Sequence, residues 1–296
     1  MIEPKSWHVE LTSRCVLECP GCDRTWFKKT FKKQIIQDIP IDDLLNFFDR
    51  NNFLSSEINL CGNNGDPIYH PQFLEILKQL KKQNHKIKIA TNGSAKTEKF
   101  WTQVGDITDK HDTITFGIDG LDDTNHLYRK NSNWDQVMTG VRILKDHPIK
   151  KIWQYIPFKQ NLSQIYKAKK LSKYLGFDEF LLLPSDRWME ENMQDMKPDS
   201  HIDIESFIQK TQLSGNKMKP QCLTNERIYI DSDGTVYPCC WAGAYRYKFK
   251  TPFGHKKHNI SNLVWNDIFE PEIKTFLHNT TSYEKAHEVC KMNCGS

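Results

Sequence analysis

The sequence predicts an α/β fold, namely a partial (β/α)6 TIM-like barrel followed by a small C-terminal α+β domain. Two observations carry this prediction. Short apolar runs alternate with amphipathic runs over the first two-thirds of the chain, and a turn-rich, cysteine-bearing stretch follows from Gln221. Six strand–helix units are too few for a closed barrel of eight, so an open barrel of parallel strands is expected.

Each apolar run is short enough to be a buried strand. The predicted strands are Trp7–Leu11, Ser56–Leu60, Ile87–Ala90, Thr113–Ile118, Lys151–Ile156 and Phe180–Leu183. The predicted helices are Ile41–Arg50, Pro71–Gln83, Lys96–Val104, Asn133–Asp146 and Leu162–Leu175. In the second of these helices Phe73, Ile76 and Leu80 recur at the spacing of one buried helical face.

The C-terminal stretch has a different pattern. Arg227–Asp231 and Thr235–Tyr237 flank a Ser-Asp-Gly turn, which predicts a β-hairpin. A helix is predicted over Ser261–Leu277. We therefore expect a barrel domain over residues 1–212 and a second domain over residues 213–296.

Composition narrows the class of protein. The chain has 296 residues and a net charge of +4, without the clustered basic patch that a nucleic-acid partner would need. It shows no secretory signal and no run of about 18 apolar residues, so neither export nor a membrane span is expected. Nine cysteines in such a chain indicate metal ligands in the reducing cytoplasm rather than disulfides.

Three cysteines lie close together directly after the first predicted strand. Cys15, Cys19 and Cys22 have the spacing C-x3-C-x2-C. Three thiolates can hold three irons of a [4Fe-4S] cluster and leave the fourth iron open to a small molecule. The alternative is a zinc knuckle, but zinc sites usually have four nitrogen or sulfur ligands, and no fourth cysteine or histidine follows nearby. The spacing therefore favours a reactive iron–sulfur cluster.

The run from Glu10 to Cys22, ELTSRCVLECPGC, resembles the cluster loop of radical S-adenosylmethionine (radical SAM) enzymes. The resemblance implies that the open iron chelates the amino and carboxylate groups of the cofactor, S-adenosylmethionine. It also implies reductive cleavage to a 5′-deoxyadenosyl radical, which abstracts hydrogen from the substrate.

Further runs at predicted strand ends are similar to this family. Cys61-Gly-Asn-Asn-Gly65-Asp66-Pro67 resembles its glycine-glycine-glutamate-proline loop, with aspartate in place of glutamate. Thr-Asn92-Gly and Gly-Ile-Asp119-Gly end the third and fourth strands, and the glycine at 117 replaces a serine. The resemblance implies that Arg129 pairs with the cofactor carboxylate and that Asn161 lies near the adenosine. The implied cofactor-binding residues are Gly65, Asp66, Pro67, Asn92, Asp119, Arg129 and Asn161.

The C-terminal cysteines form a second pattern. The motif DGTVYPCC ends in Cys239 and Cys240 and, with the flanking cysteines, resembles the SPASM/twitch auxiliary-cluster subfamily. The resemblance implies one auxiliary [4Fe-4S] cluster, and therefore two clusters in all. Its expected ligands are Cys222, Cys239, Cys290 and Cys294. The choice between Cys239 and Cys240 stays open, as does a structural zinc on the same thiolates. Cys61 is interpreted as a buried apolar residue.

The resemblance leaves the substrate open. It implies oxidation or modification of a peptide or protein side chain, with an electron donor such as flavodoxin or ferredoxin. One alternative is a radical-type dehydrogenase of a small-molecule alcohol, such as a sugar or cyclitol. That alternative is kept because the first strand begins so near the N-terminus that no leader-recognition domain is expected. The second alternative is a non-catalytic iron–sulfur protein that serves in electron transfer or as a scaffold. A substrate radical that loses an electron also loses a proton, so Glu10 and Asp186 are candidate catalytic bases.

Overall fold

The computed structural model describes residues 4–183, 191–198, 218, 220, 222, 226–254, 256–265 and 270–294. Its strands are β1 (Ser6–Val9), β2 (Glu57–Leu60), β3 (Lys86–Thr91), β4 (Thr113–Gly117), β5 (Lys150–Tyr155), β6 (Glu179–Leu182), β7 (Arg227–Ile230) and β8 (Val236–Tyr237). Its helices are α1 (Asp23–Phe31), α2 (Ile41–Arg50), α3 (Phe73–Lys82), α4 (Glu98–Ile107), α5 (Asn125–Tyr128), α6 (Trp134–Leu144), α7 (Ile165–Tyr174), α8 (Cys240–Gly243), α9 (Glu270–Asn279) and α10 (Glu288–Cys294).

Two units divide the chain. The first unit comprises Met1–Arg14, Gln34–Lys86 and Thr211–Ser296, and the second comprises Cys15–Lys33 and Ile87–Lys210. The predicted domain boundary between residues 212 and 213 lies outside the described residues. It therefore stays a prediction.

In the first unit, β1 lies between β2 and β7 and is parallel to both. β8 pairs with β7 in antiparallel orientation, which confirms the predicted hairpin. β1 is fully buried because Trp7 packs edge-on against Phe47 and Phe48 of α2 and against Trp265. The C-terminal part of the chain thus contributes both a strand and an aromatic side chain to the surroundings of β1.

In the second unit, β3 to β6 follow one another in parallel pairs, as the sequence predicts. Burial alternates along β5, where Lys151, Trp153 and Tyr155 are buried while their neighbours are half-buried or exposed. Side chains also mark the helix starts. Asn133 accepts a hydrogen bond from the backbone N–H of Gln136 at the N-terminus of α6, which satisfies one of the unpaired donors there.

Among the described residues, α1, α5, α8 and α10 were not predicted, and α9 does not have its predicted bounds. α1 was not predicted, because its buried side chains include Arg24 and Thr25, and polar residues on the buried face remove the apolar period. The helix predicted over Ser261–Leu277 was placed too early. Residues 261–264 form a turn and an irregular segment, and α9 begins at Glu270.

His85 gives the first unit a pH-dependent element. Its Nδ1 accepts the backbone N–H of Ser56 at 3.1 Å, and burial lowers its pKa from 6.5 to about 4. The neutral ring is therefore favoured in the fold. Its stabilisation is present above pH 6.5 and is lost as the pH falls towards 4.

We expect the wild-type protein to lose about 2 kcal/mol more free energy of unfolding between pH 7 and pH 5 than a His85→Gln variant. Denaturant unfolding of both proteins at the two pH values measures this difference. Any acid effect on other groups is common to both proteins and cancels in the comparison. Equal losses in the two proteins would contradict the assignment.

Candidate active site and auxiliary metal centre

The three clustered cysteines lie in an apolar recess of the second unit. Cys19 is buried, and Cys15 and Cys22 are partly buried. The apolar side chains around them are Leu17, Tyr128, Ile156, Phe158 and Met193. Cys22 directly precedes α1, and its backbone N–H donates to the carbonyl of Cys19 at 3.1 Å. The loop thus presents three thiols from a short turn, one of them buried and two partly buried.

Donors reach this loop from two directions. The backbone N–H of Leu17 lies 3.4 Å from Cys15 Sγ, and Asn92 Nδ2 lies 3.5 Å from the same sulfur. Hydrogen bonds of this kind stabilise the negative charge on a metal-bound thiolate. The structure therefore brings Asn92, predicted as a cofactor-binding residue, next to Cys15, a predicted ligand of the first cluster.

A buried ion pair links two further predicted residues of the second unit. Arg129 Nε donates to Asp119 Oδ2 at 2.7 Å. Burial alone would lower the pKa of Arg129, but Asp119 and Cys19 together raise it, so the guanidinium is charged. A Cβ at position 117 would lie 2.6 Å from Arg129 Nη2. Gly117, which stands where the family has a serine, therefore leaves the space that this guanidinium occupies.

Asn161 completes the network around Asp119. It is fully buried, its Oδ1 accepts the backbone N–H of Phe158, and its Nδ2 donates to the carbonyls of Asp119 and Ile156. Its carboxamide thus ties two strand-end loops together. Its predicted position near the adenosine stays a prediction.

Glu10 holds a loop of the first unit. Its carboxylate accepts the backbone N–H groups of Asn63 at 3.1 Å, Asn64 at 2.6 Å and Gly65 at 2.8 Å. The hydroxyl of Tyr229 donates to the same carboxylate. Burial and the nearby Asp231 raise the pKa of Glu10 to about 8, and the hydrogen bonds oppose that rise.

The loop that Glu10 holds is the one that resembles the glycine-glycine-glutamate-proline motif. A Cβ on Gly65 would lie 1.8 Å from the carbonyl oxygen of Thr12, so the backbone passes too close for any other residue. Asp66 accepts the backbone N–H of Ile68 and starts a short 3-10 turn at Pro67. Glu10 therefore positions this loop. Its role as a catalytic base stays a prediction, and Asp186 lies outside the described residues.

The four predicted auxiliary ligands line one cavity of the first unit. Its cysteines are Cys222, Cys239, Cys240, Cys290 and Cys294, joined by His8, Arg227 and Trp241. Burial raises the pKa of Cys239 to about 11 and that of Cys290 to about 12, and in both cases Cys294 adds to the rise. Both Cys239 and Cys240 line this cavity, so the choice of Cys239 as the ligand stays a prediction. A cationic metal core would stabilise the thiolates that this cavity otherwise disfavours.

Both candidate metal sites are built from thiols, and thiolates are the ligands of iron–sulfur clusters. Within the described ranges, no three His, Cys, Asp or Glu side chains converge on a point that one metal ion could occupy. A zinc site needs its thiolates at about 2.3 Å from one ion. The thiolates of a [4Fe-4S] cluster each bind a different iron, so they need not converge in this way.

A comparison with family models decides the classification. Residues 9–170 match the model of the Radical SAM superfamily. The chain belongs to the radical SAM superfamily. Residues 222–295 of this radical SAM protein match the SPASM iron-sulfur cluster-binding domain. The family assignment made from the motifs is therefore confirmed, and with it the [4Fe-4S] clusters and S-adenosylmethionine as cofactors.

Curated relatives differ in what they do. The chain is 24% identical over 265 residues to a tungsten-containing aldehyde ferredoxin oxidoreductase cofactor-modifying protein of Pyrococcus furiosus, covering 79% of this chain and 70% of the relative. It is 27% identical over 185 residues to an S-adenosylmethionine-dependent nucleotide dehydratase of Psychrobacter lutiphocae, covering 58% and 59%.

Solved structures confirm the predicted fold class. Streptococcus suis SuiB bound to S-adenosylmethionine matches with a TM-score of 0.64 at 13% identity, over 97% of this chain and 77% of that one. The protein anSMEcpe with bound AdoMet matches with a TM-score of 0.66 at 17% identity, over 98% and 83%. No helix in the described part of the chain is both long enough and apolar enough to cross a membrane.

Several contacts of the site could not be found from the sequence. Tyr229, which bonds to Glu10, is 219 positions away along the chain. His8 Nε2 lies 2.9 Å from the sulfur of Cys61, which links two neighbouring strands of the first unit. No sequence motif marks Tyr229 or His8 as part of a site. Their contacts depend on the pairing of β1 with β2 and β7.

Proposed function

We propose that this radical SAM protein oxidises or otherwise modifies a peptide or protein side chain. When bound, the clusters supply the electron that cleaves S-adenosylmethionine to a 5′-deoxyadenosyl radical and accept the electron that the substrate gives up. One observation carries the proposal: the chain has two separate thiol sites. Cys15, Cys19 and Cys22 form the first, and Cys222, Cys239, Cys290 and Cys294 the second.

Some residues of the protein would bind the first cluster and the cofactor, and others would exclude water from them. Asn92 donates to the ligand sulfur of Cys15, and the Asp119–Arg129 pair keeps a cation beside the first cluster. The backbone of Gly65, held by Glu10, would meet the amino group of the cofactor. Apolar side chains around Cys19 would keep water from a reactive radical.

The likeness to solved structures that contain a bound peptide supports a peptide substrate. SuiB bound to its precursor peptide SuiA matches with a TM-score of 0.65 at 13% identity. The protein anSMEcpe with a bound Cp18Cys peptide matches with a TM-score of 0.63 at 16% identity. An electron donor such as flavodoxin or ferredoxin belongs to the same proposal, because the first cluster must be reduced before each cleavage.

A small-molecule substrate is the second candidate, and the curated relatives favour it. One of them is named as a nucleotide dehydratase and the other as a cofactor-modifying protein. A radical dehydrogenase of a sugar or cyclitol alcohol falls in the same class. In each candidate the 5′-deoxyadenosyl radical would take a hydrogen atom from a different class of molecule.

The experiment follows that hydrogen atom. The anaerobically reconstituted protein is incubated with dithionite, S-adenosylmethionine and a perdeuterated peptide digest, or in a parallel reaction with a perdeuterated pool of nucleotides and sugars. We expect deuterium in the recovered 5′-deoxyadenosine from the peptide digest alone. Deuterium from the second pool alone would establish the small-molecule function. A reduced protein that releases no 5′-deoxyadenosine would be an electron-transfer or scaffold protein.

A further inference from the structure

Arg24 is a buried cation of α1 that stands two positions after Cys22 in the chain. Its side chain is buried, and the residue as a whole is only 6% exposed. An arginine guanidinium keeps its positive charge inside proteins and has no acceptor atom. Because taking a charge out of water is costly, buried charges are found with a partner of opposite sign. Arg24 therefore needs an anion close by.

The described part of the chain offers Arg24 no carboxylate as an ion-pair partner. Its Nη2 donates to the neutral backbone carbonyl of Leu17, and its Nε has no hydrogen-bond partner among the described residues. The charge of Arg24 also acts on Glu18, but that carboxylate is exposed and accepts a bond from Lys28 Nζ at 2.6 Å. A surface lysine thus already neutralises Glu18.

The guanidinium of Arg129, in the same unit, is a useful contrast. Its Nε donates to the buried carboxylate of Asp119 at 2.7 Å, so that cation has its counter-ion within the fold. Of these two guanidiniums, only Arg24 lacks a carboxylate partner among the described residues.

The bond to Leu17 places the charge of Arg24 at the cluster loop. Leu17 lies midway between Cys15 and Cys19 in the chain, and its own N–H lies 3.4 Å from Cys15 Sγ. α1, which carries Arg24, begins directly after Cys22. The guanidinium therefore reaches back from the helix to the segment that joins the first two cysteines.

We propose that Arg24 is the buried counter-ion of the first cluster and that its charge raises the reduction potential of that cluster. Three thiolates outweigh the positive charge of an oxidised [4Fe-4S] core, and the electron taken up on reduction makes the cluster more negative still. A nearby positive charge in a medium of low dielectric constant therefore stabilises the reduced form more than the oxidised form. The inference rests on the proposed function, in which the first cluster takes up an electron before each cleavage.

The test is a redox titration of anaerobically reconstituted protein, followed by EPR, on wild type and three variants of verified iron content. Arg24→Gln removes the charge but keeps an N–H donor for Leu17, whereas Arg24→Lys keeps the charge. The matched control, Lys28→Gln, removes the same charge one turn further along α1, where the side chain is exposed. The signal of the first cluster is the one that S-adenosylmethionine alters.

We expect Arg24→Gln to lower the ratio of reduced to oxidised first cluster at a fixed potential about tenfold, which is a midpoint about 59 mV more negative. Arg24→Lys should keep this ratio within about threefold of the wild-type value, because the charge remains. Lys28→Gln should keep it within about twofold, because salt and water screen an exposed charge.

The other outcomes are also decisive. A wild-type potential in Arg24→Gln, or equal shifts in Arg24→Gln and Arg24→Lys, would overturn the proposal, since the charge would then not set the potential. An equal shift in Lys28→Gln would overturn it too, by showing an effect of net charge alone. If Arg24→Gln binds only about four irons, Arg24→Lys decides: full iron supports the role of the charge, and the same loss overturns it. A wild-type protein whose first cluster is reduced but releases no 5′-deoxyadenosine would instead refute the proposed function.

Discussion

A Cys19→Ala variant is expected to retain about four of about eight irons and to release no 5′-deoxyadenosine with dithionite. Cys19 is the buried member of the triad, packed among the apolar side chains of the recess. With only Cys15 and Cys22 left, the first cluster loses one of its three protein ligands. The auxiliary site keeps all its thiols. Iron and sulfide analysis with EPR on the reconstituted protein measures the first effect, and chromatography of the reaction measures the second.

Two further variants serve as controls. Cys290→Ala should also lose about four irons but should keep the EPR signal that responds to S-adenosylmethionine. Cys61→Ala should keep all its iron, because the Cys61 sulfur is bonded to His8 Nε2 at 2.9 Å. Full iron content in Cys19→Ala, or iron loss in Cys61→Ala, would contradict the assignment of the ligands.

Gly65→Ala should nearly abolish S-adenosylmethionine binding, with a loss of affinity of about 100-fold or more. The added Cβ would lie 1.8 Å from the carbonyl oxygen of Thr12, a backbone atom that a rotamer change cannot move. The loop would have to shift, and Glu10 could then no longer accept all three of its N–H groups. Calorimetry with the reconstituted protein measures the affinity.

The matched control for this substitution is Gly176→Ala. Its Cβ would also be crowded, at 2.9 Å from Cγ of Lys145, but that atom belongs to a flexible side chain. Gly176 has a φ of +81°, so alanine there should cost about 1 kcal/mol of folding free energy. Its affinity for the cofactor should remain that of wild type. Wild-type affinity in Gly65→Ala would show that this loop does not serve the cofactor.

The local pattern of apolar and turn residues was sufficient to predict most of the helices and strands. The helix predicted over Ile41–Arg50 has those bounds in the structure, because three buried residues on one face, Leu44, Phe47 and Phe48, give it a clear period. The hairpin of β7 and β8 follows from its Ser-Asp-Gly turn. α1 escaped prediction for the opposite reason, since it buries Arg24 and Thr25.

Sequence also determined the family and the cofactors. Ligand spacing is a local property: a loop of eight residues contains Cys15, Cys19 and Cys22, and no distant contact is needed to see what they can bind. The same holds for the motifs at the strand ends. The family match over residues 9–170 confirms the family assignment that these motifs predicted.

Tertiary structure alone decided what the side chains around these motifs do. Position in the chain makes Glu10 a candidate base, and the structure adds that it holds the loop of Gly65 and bonds to Tyr229, 219 positions away. Such roles depend on which strands become neighbours. They cannot be read from spacing, because the partners are set by packing between segments far apart in the chain.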